Sequence, residues 1–301
     1  MTRRTLLTVS LPAAAAIIAA ALLWTPALQA QAGSRERTLF VSAVDGKGEP
    51  VEGLGPGDFV VREDGQRREV LRVSHAIEPI DIALLVDNSA SAQSAVTSIR
   101  DGLRAFVAKM APGNAIAIIA LADRPTVYVD YTSDPKRLQD ATGRLFSMSS
   151  SGMTLLDGIV ETAQGLQKRD TPRAVIVPIV TDGQEFTNRY YKDVIASVTR
   201  AGAALHALAI GTFPIGSDTV SRERAMVLDA GTRDTGGQRV TLLVDSAVPQ
   251  ALQKLARELS SQYKIVYGRP DSLIPPQKIE VTSGRNGVTM RGTPPRGQPG
   301  A

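Results

Sequence analysis

The chain has no cysteine among its 301 residues. This excludes disulfides, zinc–thiolate sites, iron–sulfur clusters and thiol nucleophiles. Only two histidines, His75 and His206, are present, which leaves little material for a histidine-rich metal site. Aromatic residues make up 4% of the chain, and the net charge of +4 is small for this length, so we expect no nucleic-acid partner. The hydrophobic fraction of 43% is sufficient for a sizeable core.

The first residues have the pattern of an export signal. Arg3 and Arg4 precede an apolar run from Leu11 to Trp24, and Ala30-Gln31-Ala32 matches a cleavage site. We therefore predict a signal peptide over residues 1–32 and an exported protein in the periplasm or outside the cell. Counted from Leu6, the apolar run approaches membrane-spanning length, so an uncleaved inner-membrane anchor is the alternative. A membrane partner is expected only in that case.

The mature chain separates into regions of different hydrophobic pattern. Residues 37–77 contain short strands and turns, too few for an independent core. From 79 to 262, apolar strands alternate with amphipathic helices, which predicts an α/β fold with a doubly wound, Rossmann-like, mostly parallel sheet and helices on both faces. Residues 263–292 return to strands, and we expect them to pair with the N-terminal β segment in a small β-sandwich. Residues 293–301 are predicted to be a disordered tail.

Several individual elements follow from local signals. Ile80–Val86 is a nearly continuous apolar run, as in a strand buried on both faces. Ser133-Asp134-Pro135 predicts the start of a helix running to about Met148. Ala204–Ile210 is predicted as one strand and Ser221–Ala230 as a helix. Lys278–Thr282 and Val288–Arg291 flank a Gly-rich turn, which predicts a hairpin.

Oxygen-bearing side chains follow the predicted central strands. Asp87, Ser89 and Ser91 come directly after the strand Ile80–Val86, Thr154 precedes a helix, and Asp182 follows the strand Arg173–Val180. In a doubly wound sheet, ligands bind beyond the carboxyl ends of the strands. Carboxylate and hydroxyl oxygens without sulfur or imidazole suit a hard divalent cation such as Mg²⁺ or Mn²⁺.

These residues resemble the metal-ion-dependent adhesion site of the von Willebrand factor type A domain. The D-x-S-x-S run of Asp87, Ser89 and Ser91 is followed by Thr154 and then by Asp182, in the order of the family motif. The resemblance covers about residues 79–262. The flanks resemble a bacterial exported subgroup, whose tail usually ends in Arg-Gly-Tyr where this chain has Arg291-Gly292-Thr293.

The resemblance implies roles for the five residues. Ser89 and Ser91 would coordinate the ion directly, Thr154 directly or through water, and Asp87 and Asp182 would supply charge. Mg²⁺ or Mn²⁺ is expected in preference to Ca²⁺. A protein partner presenting an exposed Asp or Glu would complete the site. The expected function is metal-dependent adhesion or scaffolding by a protein that is not an enzyme.

Two other functions remain open. In a metal-free interaction module, Ser89 and Ser91 would instead cap the helix beginning near Ser94. In a phosphoryl-transfer enzyme, Asp87 would be the nucleophile, although Ser89 stands where such enzymes usually carry a second carboxylate. Outside the motif, His206 is predicted to be a hydrogen-bonded core residue, Asp157 to stabilise its helix, and Glu185 to lie on the rim of the site.

Overall fold

The computed structural model describes residues 34–213, 218–270, 274, 276–293 and 295–296. Within these ranges the strands are β1 (Ser34–Val44), β2 (Phe59–Glu63), β3 (Gln66–Arg68), β4 (Val70–His75), β5 (Ile80–Val86), β6 (Ala115–Ala120), β7 (Thr126–Thr132), β8 (Arg173–Thr181), β9 (Ala203–Leu205), β10 (Ala207–Ile210), β11 (Arg239–Leu242), β12 (Tyr263–Pro270), β13 (Ile279–Ser283) and β14 (Thr289–Thr293). The longer helices are α1 (Val96–Met110), α2 (Pro135–Gly143), α3 (Leu155–Arg169), α4 (Tyr191–Ala201), α5 (Thr219–Met226) and α6 (Val248–Ser260). The predicted signal peptide lies outside the described residues.

The central sheet has the strand order β11-β10-β8-β5-β6-β7, with β9 paired to β8 ahead of β10. The pairs are parallel except at the edge, where β7 runs antiparallel to β6. The chain moves from β5 outward to β6 and β7 and returns on the other side of β5 with β8. The strand order therefore reverses between β5 and β8, the position at which doubly wound sheets bind ligands.

Helices cover both faces of this sheet. All seven residues of β5 and all nine of β8 are buried, which explains why both sequences are mostly apolar. On one face α1, α2 and α6 contribute to a core that includes Ile99 and Leu252. On the other face α3 and α4 contribute Leu156 and Val198 to a second core. The predicted α/β fold is confirmed.

The strands from the two chain ends form the small β-sandwich. One antiparallel sheet has the order β14-β1-β12-β4, and the other has the order β13-β2-β3. Both sheets contribute to one apolar core that includes Phe59, Tyr263 and Tyr267. Because β12 lies between β1 and β4, the N-terminal strands complete their sheet only with the C-terminal segment.

The prediction of a C-terminal hairpin is wrong. β13 pairs with β2, whereas β14 pairs with β1 in the other sheet. An isolated hairpin is only marginally stable, and the separate pairings place Val281 and Met290 in the shared core of the sandwich. The Gly-rich link after β13 therefore crosses between two sheets.

Three predicted elements end differently in the structure. α2 stops at Gly143 rather than Met148, because the following residues form the loop whose Met148 N–H donates to the Asn88 carbonyl. The predicted strand Ala204–Ile210 is divided into β9 and β10 at His206. At this point the backbone of Gly237 packs against the Leu205 carbonyl. The helix predicted at Ser221–Ala230 continues beyond α5 as a wider π-helical turn.

The predicted domain limits at 37–77, 79–262 and 263–292 stay predictions. Of the predicted tail, Thr293 is the last residue of β14 and Arg296 pairs with Asp170, whereas most of the rest lies outside the described residues. Across the described ranges, no helix combines the length and the apolar character required to span a membrane.

Candidate metal centre

The loops after β5 and β8 meet at the carboxyl edge of the central sheet. Val86 pairs with Ile179 in register, and the Asp87 N–H donates to the Ile179 carbonyl at 2.9 Å. The residue after each strand is therefore held against the neighbouring strand. The first and last motifs of the sequence prediction, Asp87 and Asp182, thus lie on adjacent loops.

Asp87 is fully buried and connects the two loops. Its Oδ1 accepts the Ser89 N–H at 2.9 Å, and its Oδ2 accepts the Thr181 N–H at 3.0 Å and the Thr181 hydroxyl. Both carboxylate oxygens are thus occupied by donors of the chain itself. Asp87 supplies negative charge from behind the site and holds the loops in position.

Three hydroxyl groups form a chain in front of Asp87. Ser89 Oγ lies 2.9 Å from Ser91 Oγ, which in turn lies 2.7 Å from Thr181 Oγ1. Adjacent oxygen ligands of an octahedral Mg²⁺ ion are separated by about 3.0 Å, given metal–oxygen bonds of about 2.1 Å. The two serine oxygens therefore have the spacing that such an ion requires.

Two glycines lie beside the candidate site, one where a larger residue would clash and one where the backbone has a positive φ. A Cβ atom on Gly183 would lie 2.0 Å from Ser91 Oγ. Gly211 has a φ of +96°, and a Cβ there would lie 3.5 Å from the Asp182 carboxylate. The Asp182 side chain is exposed beside this close-packed loop, so it can reach a ligand or a metal-bound water.

Thr154 reaches the same region from the start of α3. Its N–H and its hydroxyl both donate to the Leu121 carbonyl, at 2.9 and 2.8 Å. Thr154 and Asp182 line one open cleft of about 1220 Å³. The structure therefore joins Asp87, Ser89 and Ser91 through hydrogen bonds and places Asp182 and Thr154 along the adjoining cleft.

Glu185 is not the rim residue that the sequence predicts. It is buried, and its carboxylate accepts the Leu155 and Leu156 N–H groups at 3.2 and 3.1 Å. Burial raises the pKa of Glu185 to about 7, although the two N–H bonds act in the opposite direction. The Thr154 side chain makes no capping hydrogen bond at the start of α3. Glu185, in the loop after β8, caps the helix instead.

Arg224 is a residue of this region that the sequence prediction missed. This α5 side chain is buried, donates to the Gly183 carbonyl and lies 5.2 Å from the centre of the Phe213 ring. Burial lowers the pKa of Arg224, whereas the charges of Glu185 and Asp182 raise it. Because α5 is mostly polar, no periodic pattern marks Arg224 as a buried residue.

Two further predicted residues lie outside the hydroxyl cluster. Asp157, in the first turn of α3, pairs with Arg189 at 2.8 Å. His206 is buried as predicted, but neither ring nitrogen has a hydrogen-bond partner among the described residues, so the expectation of a hydrogen-bonded histidine is wrong. Burial lowers the pKa of His206 to about 4.

The donor set of this site combines hydroxyls with carboxylates. In the part of the chain that the structure describes, no group of three or more His, Asp or Glu side chains is placed to hold a metal ion. An ion at the carboxyl edge would therefore depend on Ser89 and Ser91 together with the nearby acids. Such oxygen ligands fit a hard divalent cation.

Comparison with known proteins adds a family match. Residues 82–184 match the von Willebrand factor type A domain. No curated protein matches the chain.

Several solved structures are similar to this chain. The von Willebrand factor domain of the type V pili tip protein Mfa5 from Porphyromonas gingivalis has 13% identity and a TM-score of 0.48, over 61% of this chain and 96% of that chain. The conserved hypothetical protein BatB from Bacteroides thetaiotaomicron has 13% identity and a TM-score of 0.47, over 60% and 100%. The PilB minor pilin from Streptococcus sanguinis has 10% identity and a TM-score of 0.44, over 61% of each chain. The family match extends from β5 to the loop after β8 and identifies this part of the chain as a von Willebrand factor type A domain.

Proposed function

We propose that this chain is an exported protein-binding module whose site at the carboxyl edge of the sheet holds a divalent ion and receives an acidic side chain of a protein partner. The main support is the chain of hydroxyls from Ser89 to Thr181, ordered by the buried Asp87. This array brings several hydroxyl oxygens, a ligand type that suits a hard divalent cation, within hydrogen-bonding distance of one another. The exposed Asp182 beside it adds a second negative charge.

The proposed ion is Mg²⁺ or Mn²⁺ in preference to Ca²⁺. Ser89, Ser91, Thr154 and Asp182 would hold it, with Asp87 behind them. Mg²⁺ typically binds through one or two carboxylates and keeps several waters, whereas Ca²⁺ takes six to eight oxygen ligands. When bound, the ion supplies the positive charge that attracts a carboxylate of the partner.

Binding rather than catalysis is the proposed activity. Asp87 is a poor candidate for a nucleophile, because it is fully buried and both of its oxygens accept hydrogen bonds. His206 lies inside the sheet and His75 lies in the sandwich, so neither is placed to activate Ser89 as a nucleophile. Export to the periplasm or beyond, or anchoring to the inner membrane, is proposed from the leader sequence.

A magnesium titration monitored by thermal unfolding tests this proposal. At a free ion concentration of 100 times the dissociation constant, the parent should gain about 2.7 kcal/mol of stability. Ser91→Ala and Asp182→Asn should lose this gain and stay folded, because both side chains are exposed. Asp101→Asn, on the exposed face of α1, is the matched control and should keep it.

The titration also distinguishes the alternatives. A parent without any Mg²⁺- or Mn²⁺-dependent shift would favour the metal-free interaction module. Hydrolysis of phosphoesters by the parent, abolished in Asp87→Asn, would favour the phosphoryl-transfer enzyme instead.

A further inference from the structure

Three large apolar side chains remain exposed beside the candidate metal centre. Phe146 is 56% exposed, Phe186 51% and Met148 39%. The other four phenylalanines of this aromatic-poor chain are buried or half-buried. Exposed apolar side chains that cluster at one place mark interaction surfaces. We call Phe146, Met148 and Phe186 the apolar collar.

Two members of the apolar collar are attached to the D-x-S-x-S loop. The side-chain amide of Asn88 donates to the Phe146 carbonyl at 3.3 Å, and the Met148 N–H donates to the Asn88 carbonyl at 2.8 Å. Asn88 lies between Asp87 and Ser89 in the chain, and its side-chain oxygen accepts the Ala122 N–H at 2.9 Å. The backbone at Phe146 and Met148 is therefore tied to Asn88, the residue that precedes Ser89.

Phe186 lies on the side of the site that carries Thr154. Its N–H donates to the Met153 carbonyl at 2.8 Å. Its ring packs against Gly152, where a Cβ atom would lie 2.0 Å from the ring. The apolar collar thus flanks the candidate metal centre from two loops whose backbones are already ordered, so a partner would meet a preformed surface.

The cleft next to Phe186 carries an excess of negative charge. Asp123, Asp157 and Glu161 line it, and its acidic residues outnumber its arginines. A partner segment with several carboxylates would be repelled here, whereas a single carboxylate could approach the ion. The charge of the cleft therefore favours a partner with a single acidic residue. The apolar collar favours apolar residues on either side of that acidic residue.

We propose that the partner is a protein segment in which one Asp or Glu is flanked by apolar side chains that pack on the apolar collar. This inference rests on the proposed metal-dependent function and adds the selection of the flanking residues. The carboxylate provides the metal dependence of binding, and the flanks provide its specificity.

Selection from a phage-displayed library of random dodecapeptides tests the inference. Peptides are bound to the intact protein in Mg²⁺ and eluted with EDTA. The selection is repeated with the triple variant Phe146→Ser, Met148→Ser and Phe186→Ser, and with Ile77→Ser, an exposed apolar residue before β5 at the opposite end of the strand. The triple variant must first show the thermal unfolding and the Mg²⁺ shift of the parent.

The parent and Ile77→Ser should enrich peptides with one acidic residue between apolar residues. The triple variant should enrich acidic residues without apolar neighbours. The most enriched parental peptide should bind the triple variant with a dissociation constant increased by about tenfold or more.

The outcomes separate the two proposals. EDTA-eluted peptides with an acidic residue but no preference for apolar neighbours would overturn the role of the apolar collar and leave the metal-dependent function standing. If the triple variant selects peptides with the same apolar flanking residues as the parent, the role of the apolar collar is overturned as well. A parent that releases no acidic peptides with EDTA would contradict both.

Discussion

At the scale of single residues, Glu185 links the candidate metal centre to α3. Its buried carboxyl accepts the first two N–H groups of the helix, and Thr154 lies directly before them. The helix N-terminus favours a negative charge on Glu185, whereas burial favours the neutral form and raises its pKa to about 7. The protonation state of one buried side chain therefore affects the start of the helix that carries Thr154.

Glu185 predicts a specific pH dependence of stability. Its pKa is raised in the folded state from an ordinary value of 4.5 to about 7, so the folded protein binds the proton more tightly than the unfolded chain. The resulting contribution of Glu185 to the free energy of unfolding is complete below pH 4.5 and is lost as the pH rises towards 7. Relative to Glu185→Gln, the free energy of unfolding of the parent should fall by up to about 3 kcal/mol across this range.

Urea unfolding at a series of pH values measures this difference. Glu161→Gln, on the exposed side of α3, is the control and should keep the pH profile of the parent. A constant difference between the parent and Glu185→Gln from pH 4.5 to 7 would contradict the prediction.

At the scale of elements, α3 shows how packing gives two glycines different roles. A Cβ atom on Gly158 would lie 2.5 Å from a methyl group of Leu121, which is fully buried. At Gly165, two turns later, a Cβ atom would meet nothing within 4 Å. Gly158 therefore permits a close approach of the helix to the loop that follows β6, while Gly165 has no such role.

The same substitution should thus change stability in opposite directions within one helix. Gly158→Ala should lower the free energy of unfolding by about 1–3 kcal/mol, because the surrounding core is already filled. Gly165→Ala should raise it by about 0.5–1 kcal/mol, because alanine favours the helix over glycine. Denaturant unfolding of both variants checks this, and a loss of stability in Gly165→Ala would contradict the assignment.

At the scale of the whole molecule, Arg173 connects the central sheet to the sandwich. From the start of β8 it donates to the Glu78 carbonyl at 2.7 Å, to the Leu259 carbonyl at 2.9 Å and to Gln262 Oε1 at 2.8 Å. Gln262 in turn donates to Ser42 of β1 at 3.0 Å. Arg173 thus holds the chain where it enters β5 and where it leaves α6 for the sandwich.

Loss of this connection should destabilise the whole chain. Arg173→Met removes three hydrogen bonds, two of them buried and one partly buried, so we expect a loss of about 3 kcal/mol or more. Arg104→Met, which removes an exposed ion pair with Asp101, should cost less than about 1 kcal/mol. Equal effects of the two substitutions in denaturant unfolding would show that Arg173 does not connect the two parts.

Local patterns in the sequence were sufficient for much of the fold. The apolar run of β5 predicts a buried strand, and its bounds are those of the structure, because burial on both faces requires apolar residues along nearly all of the strand. The ends of the elements were less predictable where the chain forms the loops of the candidate metal centre. α2 stops at Gly143 because the next residues bind the D-x-S-x-S loop, and no local signal marks that contact.

The sequence by itself determined the alternation of strands and helices, the sandwich built from both chain ends, and the order of Asp87, Ser89, Ser91, Thr154 and Asp182 along the chain. These features depend on hydrophobic period and on the order of motifs. Only the tertiary structure decided that β13 and β14 separate into two sheets, that Glu185 is buried at the start of α3, and that Arg224 reaches Gly183. These features depend on contacts between residues distant in the chain, whose burial and hydrogen bonding no local pattern specifies.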